Sequence, residues 1–130
     1  MPHNLLKLHL TKHFMSMDEI KTIAESIRAE FENGTIPLNL VKSLYQSYNP
    51  LENIDIFFDE ARKLFPKGSC GIASVYLNAQ IKGSRIIRGR YNEKKHTFLL
   101  VNNNIVDITA DQYGGPKVYI GPIVSPWNLE

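Results

Sequence analysis

The chain has 130 residues, 15 Lys and Arg against 13 Asp and Glu, and a formal net charge of +2; it is long enough for one domain with a real core and too weakly basic to argue for nucleic acid. Its 43% apolar and 22% charged residues are those of an ordinary soluble globular protein, and no apolar run approaches the length of a membrane-spanning helix. One cysteine excludes an internal disulfide, and the start Met1-Pro2-His3-Asn4-Leu5-Leu6-Lys7 lacks a signal peptide's apolar stretch, so a reduced, cytoplasmic protein with no membrane partner is expected.

Leu6, Leu8 and Leu10 alternate with Lys7, His9 and Thr11, which predicts a short strand with one wet face. Ser16-Met17-Asp18-Glu19 is a capping box, continued at helical spacing by Ile20, Ile23, Ala24, Ile27 and Phe31 and stopped by Asn33-Gly34. A second helix is expected from Pro37, with Leu40, Val41, Leu44, Tyr45 and Tyr48 on one face, until Asn49-Pro50 breaks it. A third spans about Leu51 to Phe65, with Glu52, Asp55 and Asp59 early and Arg62 and Lys63 late, as the helix dipole favours. From Cys70 to about Gln80 the apolar residues point in nearly every direction around a helix, so this helix should be buried.

The remaining segments read as strands over Arg85–Tyr91, His96–Val101, Ile105–Thr109 and Lys117–Ile120, separated by polar turns. The expected fold class is α+β. One domain over residues 1–130 has a helical part at about 12–80 and an antiparallel sheet of four or five strands at about 85–121.

Cys70 begins a helix, where unpaired N–H groups and the dipole favour a thiolate. His96 opens a strand 26 residues on, and Asp107 lies in the next strand. A histidine can hold the thiol proton and a carboxylate can fix the histidine. Whether the two meet depends on the three asparagines at 102–104. An Asn102-Asn103 turn pairs Val101 with Asn104, puts Phe98 opposite Asp107, and leaves His96 and Asp107 diagonal neighbours on one face, roughly 7 Å apart at Cβ. A three-residue loop pairs Val101 with Ile105 and separates them, whereas an Asn103-Asn104 turn brings His96 to Asp111. Asp107 is preferred, because a strand holds a side chain more rigidly than the loop around Asp111.

Cys70-Gly71-Ile72-Ala73-Ser74 at a helix start, His96-Thr97-Phe98-Leu99-Leu100-Val101 and Ile105-Val106-Asp107-Ile108-Thr109 together resemble the core of papain-like and transglutaminase-like cysteine enzymes. The closest likeness is to small bacterial papain-fold domains, which include peptidases, glutamine deamidases and acyl or amide transferases. The resemblance covers roughly residues 68 to 112. It implies a papain-like core with Cys70 as thiolate nucleophile, His96 as base and acid, and Asp107 as orienting carboxylate. It implies a protein or peptide substrate, with no cofactor and no metal. The chain departs from the pattern where Leu64-Phe65-Pro66-Lys67 precedes the cysteine without the glutamine of papain-type proteases. Ile72 and Phe98 also stand where transglutaminase-like domains carry tryptophan.

The reaction so implied passes through a thioester; water then gives hydrolysis or deamidation, and an amine gives transamidation. The Cys70 backbone N–H is the first oxyanion donor to name, Gly71 adjoins it, and Gln112 offers an amide in the Asp111–Pro116 connection. Lys82, Arg85, Arg88, Arg90, Lys94 and Lys95 form a basic stretch, read as a solvated strand face that could alternatively attract an acidic partner. His9 and His13 have helical i,i+4 spacing within a strand pattern, and no metal motif accompanies them or Cys70. Trp127 should pack over the core. A compact effector-like enzyme, exported without a cleavable signal, and a non-catalytic papain-like binding domain are both compatible with these residues.

Overall fold

The capping box closes as expected at the head of α1 (Met17–Asn33): Ser16 Oγ accepts from the Glu19 N–H, and the Glu19 carboxylate accepts from the Ser16 N–H, each at 3.1 Å. Gly34, at φ 70°, ends the helix in the left-handed conformation that a residue without Cβ adopts most cheaply. These features come from a computed structural model, which describes residues 15–130. The strand expected around Leu6–Leu10, with His9 and His13, lies outside the described residues.

Pro37 caps α2 (Leu38–Tyr48) instead of opening it. The next helix, α3 (Ile54–Leu64), starts three residues later than expected, because the Asn53 side chain accepts from the Ile56 N–H and so fixes the cap. The cysteine helix, α4 (Cys70–Gln80), is buried at six successive positions from Ile72 to Leu77, as its all-round apolarity predicts.

Four strands follow with a short 3-10 turn among them, and then a fifth: β1 (Arg85–Tyr91), β2 (Lys94–Val101), β3 (Asn104–Asp107), the turn Ala110–Tyr113, β4 (Tyr119–Pro122) and β5 (Trp127–Asn128). They form one antiparallel sheet in the order β4-β3-β2-β1-β5. The architecture is α+β, four helices packed with a five-stranded sheet. Three expected strands are corrected at their ends. β2 starts at Lys94, two residues before the expected His96, because Asn92 and Glu93 alone make the turn and Lys94 pairs with Tyr91. β3 stops at Asp107 because that carboxylate accepts from the Thr109 N–H at 2.9 Å, turning the chain out of the ladder. β4 lies two residues beyond the Lys117–Ile120 expectation, and the sheet reaches past residue 121 through β5.

Val101 pairs with Asn104, leaving Asn102 and Asn103 as a two-residue turn with φ 51° and 61°. Both residues are in the left-handed region required by the hairpin turn whose twist matches the strands. This is the register that places Phe98 opposite Asp107.

The helices and one sheet face share the larger core, in which Ile20, Val41, Phe58, Leu77, Leu99 and Val106 are buried. A burial of this kind contributes about 1.5–3 kcal/mol per large side chain. The other face carries a smaller, more aromatic cluster of Tyr91, Phe98, Leu100, Ile105, Ala110 and Trp127. Arg28 is the unexpected core residue. It donates to both Asp111 oxygens at 2.7 and 2.8 Å and to the Ile108 carbonyl at 2.8 Å, with its guanidinium 4.8 Å from the centre of the Phe65 ring. It thereby ties α1 to the turn that follows β3.

Candidate active site

Cys70 is the first residue of α4, and the preceding Ser69 does not cap it. The Ser69 hydroxyl instead donates to the Ala61 carbonyl at 3.0 Å. The first N–H groups of a helix have no intrahelical partner, so this end presents unfilled donors and the positive end of the dipole beside the thiol.

β2 and β3 supply the other two groups. His96 is 2% exposed and Asp107 is 1% exposed. The His96 Nε2 lies 2.7 Å from Asp107 Oδ2, a buried hydrogen bond between residues that the Asn102-Asn103 register makes diagonal neighbours. Three more donors orient the carboxylate: the Trp127 indole N–H at 2.8 Å on Oδ2, and the Thr109 N–H at 2.9 Å and hydroxyl at 3.5 Å on Oδ1. A buried carboxylate with several N–H donors is held in position. Asp111 is engaged by Arg28 and takes no part in holding His96.

The imidazole sits among aromatic rings. Tyr113 and Tyr91 meet it edge-on at centroid distances of 5.3 and 6.1 Å, and Phe98 is tilted at 5.8 Å. The Tyr113 hydroxyl donates to the Lys95 carbonyl at 3.0 Å, fixing that ring to β2.

With Nε2 committed to Asp107, Nδ1 is the ring nitrogen left for the thiol. It is buried and has no hydrogen-bond partner among the described residues. The two groups nevertheless shift each other's ionisation. Burial pushes the Cys70 thiol up, but His96 and the Thr97 backbone outweigh it, and the thiol ends below its ordinary range. Burial disfavours the charged imidazole too, yet Asp107 and Cys70 overcome that and raise His96 to about 9. Both shifts favour a thiolate facing an imidazolium.

The other two residues singled out from the sequence lie at the margin. Gly71 backs onto the Tyr45 ring, where an added Cβ would stand 3.0 Å from Cε1. Gln112 lies against the loop before Cys70: Oε1 accepts from the Gly68 N–H at 3.4 Å, while Nε2 is buried and unpartnered among the described residues. Sequence reasoning missed Trp127 as a partner of Asp107. The signal was its indole N–H, which needs an acceptor once the ring is buried. Arg88, Arg90 and Lys95, read from the sequence as a solvated strand face, are exposed, and they also line the groove at Cys70.

Among the described residues no group of three or more His, Cys, Asp or Glu side chains is placed to hold a metal ion, and no helix is long and apolar enough to cross a membrane. No family model matches the chain, and neither a curated protein nor a solved structure is found similar to it.

Proposed function

We propose that the chain is a papain-like cysteine enzyme that attacks an amide bond, in a peptide or a glutamine side chain, through a thioester. The observation that carries this reading is the buried 2.7 Å bond between His96 and Asp107, beside a thiol held below its ordinary range at an uncapped helix start. A structural cysteine needs no oriented imidazole, and a buried His–Asp pair without a purpose is costly to desolvate.

In the first step Cys70 Sγ bonds to the carbonyl carbon and the carbonyl electrons move onto oxygen. The Cys70 N–H is a donor for that oxyanion, and each such donor is worth about 3 kcal/mol of barrier. Collapse expels an amine or ammonia, which takes its proton from His96 Nδ1. His96 then deprotonates water, or an acceptor amine, to release the acyl group. Asp107 keeps the ring's Nε2 proton in place throughout. Gln112 contacts the loop before Cys70 through its Oε1 and has its Nε2 unpartnered among the described residues, and we assign the second oxyanion contact to it. No cofactor enters these steps, and the chemistry suits a reducing compartment such as the cytoplasm.

Alkylation by iodoacetamide across pH tests the proposal. Wild-type Cys70 should react well below the range of an ordinary thiol, and His96→Ala should abolish that low-pH reactivity. Turnover needs the imidazolium as acid, so it should rise as Cys70 ionises and decline as pH passes about 9. An unreactive thiol, or low-pH reactivity that persists in His96→Ala, refutes the enzyme.

A further inference from the structure

The groove that ends at Cys70 and His96 encloses about 450 Å³. Its β1 and β2 walls bear Arg88, Arg90 and Lys95, all exposed and all projecting from the same sheet face. The register makes Arg90 and Lys95 direct cross-strand partners. Like charges in that relation repel and destabilise a sheet.

None of the three forms an ion pair among the described residues. Arg90 donates only to the Glu93 carbonyl at 3.0 Å. Arg88 is held over the Tyr48 ring, 4.8 Å from its centre, with Nε donating to the Tyr48 hydroxyl at 2.7 Å. Its guanidinium is therefore fixed by a neutral side chain, and the rest of its N–H fork has no partner among the described residues. The one carboxylate side chain lining the groove is that of Glu130. Three cations against that one carboxylate leave the cleft with an excess of positive charge, which concentrates ligands of the opposite sign.

We infer that the amide attacked by Cys70 lies in an acidic segment, whose flanking carboxylates rest on Arg88, Arg90 and Lys95. This rests on the thioester reading above, and that chemistry selects the ligand class: acyl transfer to sulfur requires a carbonyl carbon, which a peptide offers and a phosphodiester backbone does not. Bound carboxylates would also offset the repulsion between Arg90 and Lys95.

The test uses the full chain carrying Cys70→Ala and two fluorescent peptides, a glutamine flanked by glutamates and the same glutamine flanked by lysines, with binding read by anisotropy. The acidic peptide should bind at least about tenfold more tightly, and added salt should erode the preference. Arg90→Gln with Lys95→Gln should abolish most of it without lowering the melting temperature, since a repulsive pair is removed. Arg88→Gln should weaken it separately. Equal affinity for the two peptides, no measurable binding of either, or a preference untouched by these substitutions overturns the inference. Failure of the enzyme reading shows elsewhere: the wild-type thiol would be inert to iodoacetamide at low pH while the acidic preference persisted.

Discussion

The two faces of the sheet do different work with the same strands. Toward the helices, Leu99, Val101 and Val106 enter an apolar core that any well-packed set of aliphatics would satisfy. On the opposite face, His96 and Asp107 are buried among Tyr91, Phe98, Tyr113 and Trp127, where both oxygens of the carboxylate are answered by N–H donors. The first face holds the protein together. The second spends part of that stability on keeping an imidazole charged and aimed. A sheet buried on both sides can do this, because water neither competes for the hydrogen bond nor screens it.

The sharpest way to break the contrast is Asp107→Ala. It strips an acceptor from four donors at once, His96 Nε2, the Trp127 indole, and the Thr109 N–H and hydroxyl. Removing one partner of a buried charged pair costs about 3–5 kcal/mol, a large part of a typical domain's stability. Denaturant melts should show that loss. Asp107→Asn keeps the shape but not the charge, so it should fold better and still fail chemically. With the carboxylate gone, His96 falls from about 9, and the low-pH limb of iodoacetamide alkylation moves up toward that of an ordinary thiol. Asp107→Asn with a wild-type alkylation profile would show that the carboxylate does not tune the site.

The same contrast governs how much could be read in advance. The capping box, the helix ends and the all-round burial of α4 follow from local rules, and the structure has them within a few residues. The helix-facing and site-facing positions of β2 could not be separated by alternation, because His96–Val101 is apolar almost throughout and buried on both sides. Only the turn register divides them, and three asparagines in a row permit three registers. β5 and the role of Trp127 were illegible for another reason. Two residues pairing with β1 far away in sequence carry no periodic signal. Nor does any local rule bring Arg28 across 83 residues to Asp111.

Leu99→Ala attacks the other face. Leu99 is fully buried and belongs to the helix-side core. The cavity and lost transfer energy should cost about 2–5 kcal/mol. The prediction that sharpens the comparison is what stays constant: the alkylation profile of the folded fraction should match wild type, because the Leu99 side chain lies on the helix side of the sheet, opposite the face that holds His96 and Asp107. A shifted profile would mean that the two faces are mechanically coupled, contrary to the division of work argued above.

The smallest effect falls on the turn that sets the register. Asn102 and Asn103 both hold positive φ, a region that costs an alanine about 1–2 kcal/mol and glycine almost nothing. Asn102→Gly should therefore be close to neutral in melting temperature. Asn102→Ala should lose about 1 kcal/mol with the register unchanged, since Val101, Ile105 and Val106 are still drawn to their buried positions. Chemistry is the more telling readout. If the register holds, both variants keep the low-pH reactivity of Cys70, because His96 still reaches Asp107. If Asn102→Ala slips the hairpin by one residue, Asp107 turns to the opposite face, and the reactivity is lost out of proportion to the stability. That outcome would make the asparagine pair, and not the packing of β3, the element that assembles the site.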